Sequence, residues 1–236
     1  MSRFEEIKRR VYQCNMELTR QRLVIYTFGN VSEIDRKAGI IAIKPSGVAY
    51  DVMKPEDIVI VDLEGKVVEG TLNPSSDTKT HLVLYNHFPT IGGVAHTHST
   101  YAVAWAQAAK PIPLLGTTHA DHLHLDIPCT DFLTKEMIAG EYEVETGNQI
   151  LKSFQNISYE DIEMVLAAGH GPFTWGRTPE KAVYNSVVLE QVAKMAFLTL
   201  QINPTVSRLD EALVQKHYQR KHGSNAYYGQ IPNDAR

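Results

Sequence analysis

Phe4, Ile7, Val11, Cys14 and Leu18 recur at three- and four-residue intervals, the spacing of one apolar face of a helix, so the chain opens on an amphipathic helix. The runs LVIYTFG (Leu23–Gly29) and GIIAIKPSG (Gly39–Gly47) are rich in β-branched and aromatic residues and end at turn formers, which predicts two strands. DIVIVDLEGKVVEG (Asp57–Gly70) reads as a hairpin turning at Glu64-Gly65. In PSSDTKTHLVLY, serine and aspartate precede an apolar pattern and mark a helix start. IGGVAHTH predicts a strand running into the helix STYAVAWAQAAK, and Asp161–Ala168 predicts another strand, ending at GHGPFTWG. TPEKAVYNSVVLEQVAKMAFLTLQI is a long helix, with Thr178 as cap and Pro179 in its first turn. A shorter helix around Leu209–Arg220 precedes the C-terminal tail. Strands and helices mix without βαβ alternation, and the hairpins of the first third argue against a purely parallel sheet. No linker, repeat or charge block divides the 236 residues, so residues 1–236 are read as a single domain.

Composition narrows the functional classes. An apolar fraction of 43% with 21% charge suits a globule with an ample core. A net charge of −4 gives no electrostatic reason to expect nucleic acid or an anionic membrane as partner. No stretch of eighteen apolar residues predicts a membrane span, and the charged start lacks the apolar run of a signal peptide. Cys14 and Cys129 form no C-x-x-C motif and fit a reducing cytoplasm.

The candidate chemistry lies in histidines and turns. On a strand, residues two apart share a face, so His96 and His98 project side by side. Imidazole nitrogens suit Zn²⁺, but two ligands do not complete a site. His170, between two glycines in AAGHGPF, is one candidate third ligand; His119, His122 and His124 form a rival cluster, again with two-residue spacing. His81 and His87 read as surface or packing residues of a helix. Ser75 and Ser76 at a helix start, Lys44 to Gly47 (KPSG) and Gly29-Asn30 each offer donors to an anion. Singly these are turn and capping chemistry; jointly they suit a phosphorylated small molecule. Neither G-x-x-x-x-G-K-[ST] nor G-x-G-x-x-G occurs, so nucleoside triphosphates and dinucleotides have no support.

FGNVSEID, IKPSGVAY, VVEG, PSSDTKTH, GGVAHTHSTYAVAWAQA, GTTHADHLHLDIPCT, GEYEVETGN, GHGPFTWG and KHYQRKHGSNAYYGQ occur in the order found in the class II, zinc-dependent sugar-phosphate aldolase/epimerase family. The chain resembles that family from about Phe4 to Gln230, and PSSDT and AYYGQ point to its epimerase branch. The resemblance implies a three-layer α/β/α domain around a mostly antiparallel sheet, and a cytoplasmic homotetramer with four-fold symmetry. It implies a zinc ion, replaceable by Mn²⁺ or Co²⁺, held by His96, His98 and His170 with Asp77 as fourth ligand or near neighbour. Gly29, Asn30, Lys44, Ser46, Gly47, Ser75 and Ser76 match a phosphate cradle. Asp121 and Tyr228 match paired acid/base residues, the tyrosine on a tail of about residues 222–236 that reaches a neighbouring subunit's site. The implied reaction interconverts L-ribulose 5-phosphate and D-xylulose 5-phosphate by retro-aldol cleavage, in a pentose route such as arabinose catabolism. Two departures stand out: His122-Leu123-His124 replaces aromatic residues after HAD, and Ala167, Ala168 and Gly169 before His170 are less polar than the family pattern.

Overall fold

Alternate residues of the central strands enter different cores, and this sets the architecture. The computed structural model describes residues 3–223 and 226. Among them, seven strands form one sheet: β1 (Asn30–Asp35), β2 (Ile40–Ile43), β3 (Val59–Asp62), β4 (Val67–Glu69), β5 (Gly93–His96), β6 (Met164–Ala167) and β7 (Gly171–Gly176). Their order is β4-β3-β2-β1-β5-β7-β6, and every neighbouring pair is antiparallel. Ile41, Val59, Val61 and Val94 pack into one core, whereas Ile40, Ala42, Ile60 and Ala95 pack into the other. A sheet apolar on both faces must be covered on both.

Helix α1 (Glu5–Arg20) covers one face with Ile7, Val11, Cys14 and Leu18, the stripe read from the sequence. The other face is covered by α2 (Thr78–His87), α3 (Thr100–Gln107), α6 (Tyr142–Ser153) and much of α7 (Pro179–Ile202); the short α4 (Thr117–Ala120) and α5 (Lys135–Ala139) lie in the connection between α3 and α6. The result is the expected three-layer fold. Thr178 caps α7 by accepting from the Lys181 amide, with Pro179 at the first position as predicted. Helix α8 (Glu211–His222) follows, capped by Asp210.

Two predicted strands are corrected. LVIYTFG is a loop, and the strand begins at Asn30. Positive φ values at Arg22 (57°), Tyr26 (52°) and Gly29 (73°) interrupt any extended run, a conformation costly for side chains other than glycine. Leu23 and Val24 plug the core beside the end of α1, while Ile25 and Tyr26 are 61% and 80% exposed. GHGPFTWG is not a strand's end: Gly171–Gly176 is itself β7, paired with a shorter β6 in a hairpin whose turn carries His170.

This topology gathers the candidate residues at one end of the sheet. β1 starts there, β2, β5 and β6 end there, and β7 starts there. Asn30 lies directly opposite His96 across the β1–β5 pair, and Phe173 lies opposite His96 across β5–β7.

Candidate metal centre and anion cradle

His96 is the last residue of β5 and is fully buried. Its Nδ1 lies 2.9 Å from the Pro172 carbonyl, which can only accept, so Nδ1 carries the proton and Nε2 keeps a free lone pair. His98 follows two residues on, beyond the strand's end, with its Nε2 3.0 Å from that atom. Two nitrogens each about 2.0–2.1 Å from a tetrahedral zinc would be about 3.3 Å apart, so the pair is close to ligating separation. His170 completes a triangle, its ring centroid 4.7 Å from His96 and 5.3 Å from His98. One donor atom from each of the three lies within 4.8 Å of the others. Burial pushes all three below the usual imidazole value, His96 to about 3, so at neutral pH the rings are unprotonated, the form a metal needs.

Asp77 stands at the capping position of α2, yet its side chain caps nothing. The carboxylate turns instead to Asn30, whose Nδ2 donates to Oδ2 at 2.7 Å and to Ser75 Oγ at 3.0 Å. Burial opposes its ionisation, but His96, His81 and the Asn30 hydrogen bond outweigh that and hold it below the usual carboxylate range. A buried anion thus faces three neutral imidazoles, a donor set that fits a divalent cation of zinc's type.

A pocket of about 340 Å³ opens onto this group and is lined by all eleven residues assigned to metal and phosphate from the sequence. Lys44 is 1% exposed, its amine bonded to the Val48 carbonyl at 2.8 Å and the Pro45 carbonyl at 3.2 Å. Loss of hydration lowers its pKa to about 8, leaving a cation without a carboxylate partner among these contacts. Gly29, at φ 73°, passes so close that a Cβ would sit 2.7 Å from the His96 carbonyl oxygen. Not every predicted amide is available. Ser46 N donates to Asn73 O and Ser75 N to Lys44 O, stitching the two loops together, so these two residues offer an anion their hydroxyls rather than their amides.

The other candidates fall elsewhere. Asp121 lies outside this pocket, at the end of α4, with its carboxylate on α8: Arg220 reaches both oxygens at 2.8 Å and His217 Nδ1 lies 2.9 Å away. Burial works against its charge, but these hydrogen bonds prevail and lower its pKa. Tyr228 is outside the described residues. The rival cluster does not converge: His119 Nε2 meets the Leu125 carbonyl, and His122 faces the Tyr184 hydroxyl at 3.4 Å. Among the described residues, His96, His98 and His170 form the group placed to hold a metal. His81, which the sequence presents as a surface or packing residue, is fully buried one helical turn after Asp77, and Arg220, on the basic face of α8, holds Asp121.

Comparison with known proteins settles the relationship. Residues 9–197 match the profile of the Class II Aldolase and Adducin N-terminal domain. The chain belongs to this family. It is 53% identical over 226 residues to the L-ribulose-5-phosphate 4-epimerase UlaF of Salmonella paratyphi C (strain RKS4594), covering 96% of this chain and 99% of that one. Identity and coverage are the same for the UlaF of Salmonella choleraesuis (strain SC-B67). Among solved structures, an L-fuculose 1-phosphate aldolase superposes with a TM-score of 0.76 at 26% identity, over 93% of this chain and 97% of that one. YgbL of Klebsiella pneumoniae, a putative aldolase/epimerase/decarboxylase, gives 0.71 at 21% identity over 92% and 99%, a likeness of fold. Among the described residues, no helix of this family member is long and apolar enough to cross a membrane.

Proposed function

We propose that this chain is a zinc-dependent L-ribulose-5-phosphate 4-epimerase, interconverting L-ribulose 5-phosphate and D-xylulose 5-phosphate in cytoplasmic pentose catabolism. The observation that carries the reading is the meeting of His96, His98, His170 and Asp77 with the buried Lys44 in one pocket, in a chain 53% identical to curated epimerases over nearly its full length. Bound there, zinc supplies Lewis acidity to substrate oxygens that gather negative charge.

The substrate dictates what the residues must do. C4 of a 2-ketose phosphate is two carbons from the carbonyl and carries no acidic proton, so direct deprotonation is a poor route. Cleavage of C3–C4 gives the enediolate of dihydroxyacetone and glycolaldehyde phosphate; the aldehyde rotates and the bond re-forms at its other face. Lys44, with the hydroxyls of Ser46, Ser75 and Ser76, holds the phosphate during that rotation, and Gly29 and Gly47 let it approach. Asn30 keeps Asp77 turned into the site. The C4 oxygen lies on opposite sides in the two epimers, so one proton-transfer group is needed on each. We assign these to Asp121 and Tyr228.

The position of Asp121 supports assembly. Its carboxylate is held by His217 and Arg220 of α8, outside the pocket that this chain's own histidines line. A four-fold tetramer that seats this unit over a neighbour's pocket would complete each site. Zinc-loaded protein offered L-ribulose 5-phosphate should yield D-xylulose 5-phosphate, and a chelator should stop it. Conversion indifferent to chelation would count against the metal, and free glycolaldehyde phosphate would indicate an aldolase.

A further inference from the structure

Three residues, Thr97 to Ser99, join the end of β5 to the start of α3, and His98 is the middle one. The His96 ring is fixed from behind by the Pro172 carbonyl. Among the described residues no backbone group does the same for the His98 ring, which is exposed on the pocket. Where that ring stands is therefore set by the two ends of a short link. One end is the β5–β7 ladder, in which His96 pairs with Phe173. The other is the first turn of α3, whose free amides need acceptors. Ser99 occupies the capping position but caps nothing: its Oγ accepts from the Thr97 hydroxyl at 3.3 Å. The acceptor comes from α7 instead. Glu190 Oε1 takes the Tyr101 amide at 3.0 Å and Oε2 takes the Ala102 amide at 2.9 Å, the two amides that a local cap would serve.

We infer that Glu190 is a positioning residue of the metal centre: by clamping the first turn of α3 onto α7, it fixes the backbone that carries His98 to its place beside His96 and His170. A serine cap would satisfy the same amides without tying them to anything else. A carboxylate 88 and 89 positions further along the chain ties the start of α3 to the long helix. Charge makes the tie firm, since an anion at a helix N-terminus gains from the dipole and from charge-assisted hydrogen bonds. One turn further on, the Trp105 indole N–H donates to the Ala193 carbonyl at 3.0 Å, a second link between the same helices, away from the His98 end. His98 Nε2 already lies 3.0 Å from His96 Nε2, and slack of about 0.5–1 Å at the link is enough to lose a productive ligand geometry. The inference rests on reading His96, His98 and His170 as a metal centre.

The test uses zinc affinity, measured in the full-length protein by competition with a chromophoric chelator, beside the urea midpoint of the metal-free protein. Glu190→Ala should weaken zinc binding about tenfold or more, the lower end of what outer contacts around a ligand are worth. Glu190→Gln keeps one acceptor oxygen for the two amides and should lose less. Trp105→Phe removes the second link, so it should lower the urea midpoint yet leave zinc affinity at the wild-type level. A merely structural role for Glu190 would make the two sites behave alike. In a His98→Ala background Glu190→Ala should change the remaining affinity little, since the ligand it positions is gone. Wild-type zinc affinity in Glu190→Ala, a matching loss in Trp105→Phe, or an equal loss in both backgrounds would overturn the inference. Should Glu190→Ala fail to fold, Glu190→Gln carries the test, and wild-type zinc affinity there overturns it too. Wild-type protein that binds no zinc would overturn the proposed function and this inference with it, whereas binding that Glu190→Ala leaves untouched overturns this inference alone.

Discussion

Lowering the pH of the metal-free protein from 7 to 5 should remove much of its stability. His81, His96 and His119 are buried, and loss of hydration pushes their pKa values down from 6.5 to about 4, about 3 and about 4. In the unfolded chain each returns to about 6.5. Below that value the unfolded state binds protons that the native state refuses, so stability falls as pH drops from 6.5 toward the folded values. Between pH 7 and 5 the linkage relation gives about 2 kcal/mol for each ring, about 5–6 kcal/mol together. His98 and His170 are shifted the same way and add to the loss. Asp77 and Asp121 have folded values below 3.8, so their contributions are lost only at lower pH, outside this window. A domain's whole stability is about 5–15 kcal/mol, so the metal-free protein should stand near unfolding at pH 5. Urea titrations at fixed protein concentration, with chelator present, can follow the buried Trp175 by fluorescence. The midpoint should fall steeply from pH 7 to 5. A midpoint that stays level would mean the native histidines take up protons freely, and the buried site described here would be wrong.

Gly29→Ala forces a Cβ to within 2.7 Å of the His96 oxygen and 2.8 Å of Val24 Cγ1 at φ 73°; backbone strain of about 1–2 kcal/mol and overlap of about 1–3 kcal/mol predict a loss of about 2–5 kcal/mol by urea unfolding. A wild-type midpoint would contradict the close approach. Lys44→Met removes a charge-assisted hydrogen bond of about 1.5–3 kcal/mol to the substrate, so kcat/KM for the sugar phosphate should fall about ten- to a hundredfold, and the urea midpoint should fall as well because the Val48 and Pro45 carbonyls lose their donor. Unchanged kinetics would place the phosphate elsewhere. Asp121→Asn should cut turnover by about 10²–10⁴ while leaving bound zinc at the wild-type level, and wild-type turnover would remove Asp121 from the chemistry.

Much of this was legible because the fold writes its constraints in periodic form. The α1 stripe, the Glu64-Gly65 hairpin and the Thr178-Pro179 helix start each follow from a local rule and are found as expected. His96 and His98 could be paired from spacing because two-residue intervals share a face. His170 could not, since its place depends on the β6–β7 hairpin, whose second arm, with its glycines and proline, does not read as a strand. LVIYTFG misled for the opposite reason: its apolar residues plug a helix end and line a loop, uses that carry no period. The Asp121–Arg220 pair spans nearly a hundred residues, and only tertiary structure brings it together.

The measurement that bears most directly on the account is the reaction run in D₂O with zinc-loaded protein and L-ribulose 5-phosphate, followed by proton and carbon NMR with a chelated control. Cleavage and re-formation of C3–C4 never breaks the C4–H bond, so the account predicts D-xylulose 5-phosphate with no deuterium at C4, formed only when metal is present. Deuterium at C4 would contradict carbon–carbon cleavage, and absence of any metal-dependent product would contradict the epimerase itself.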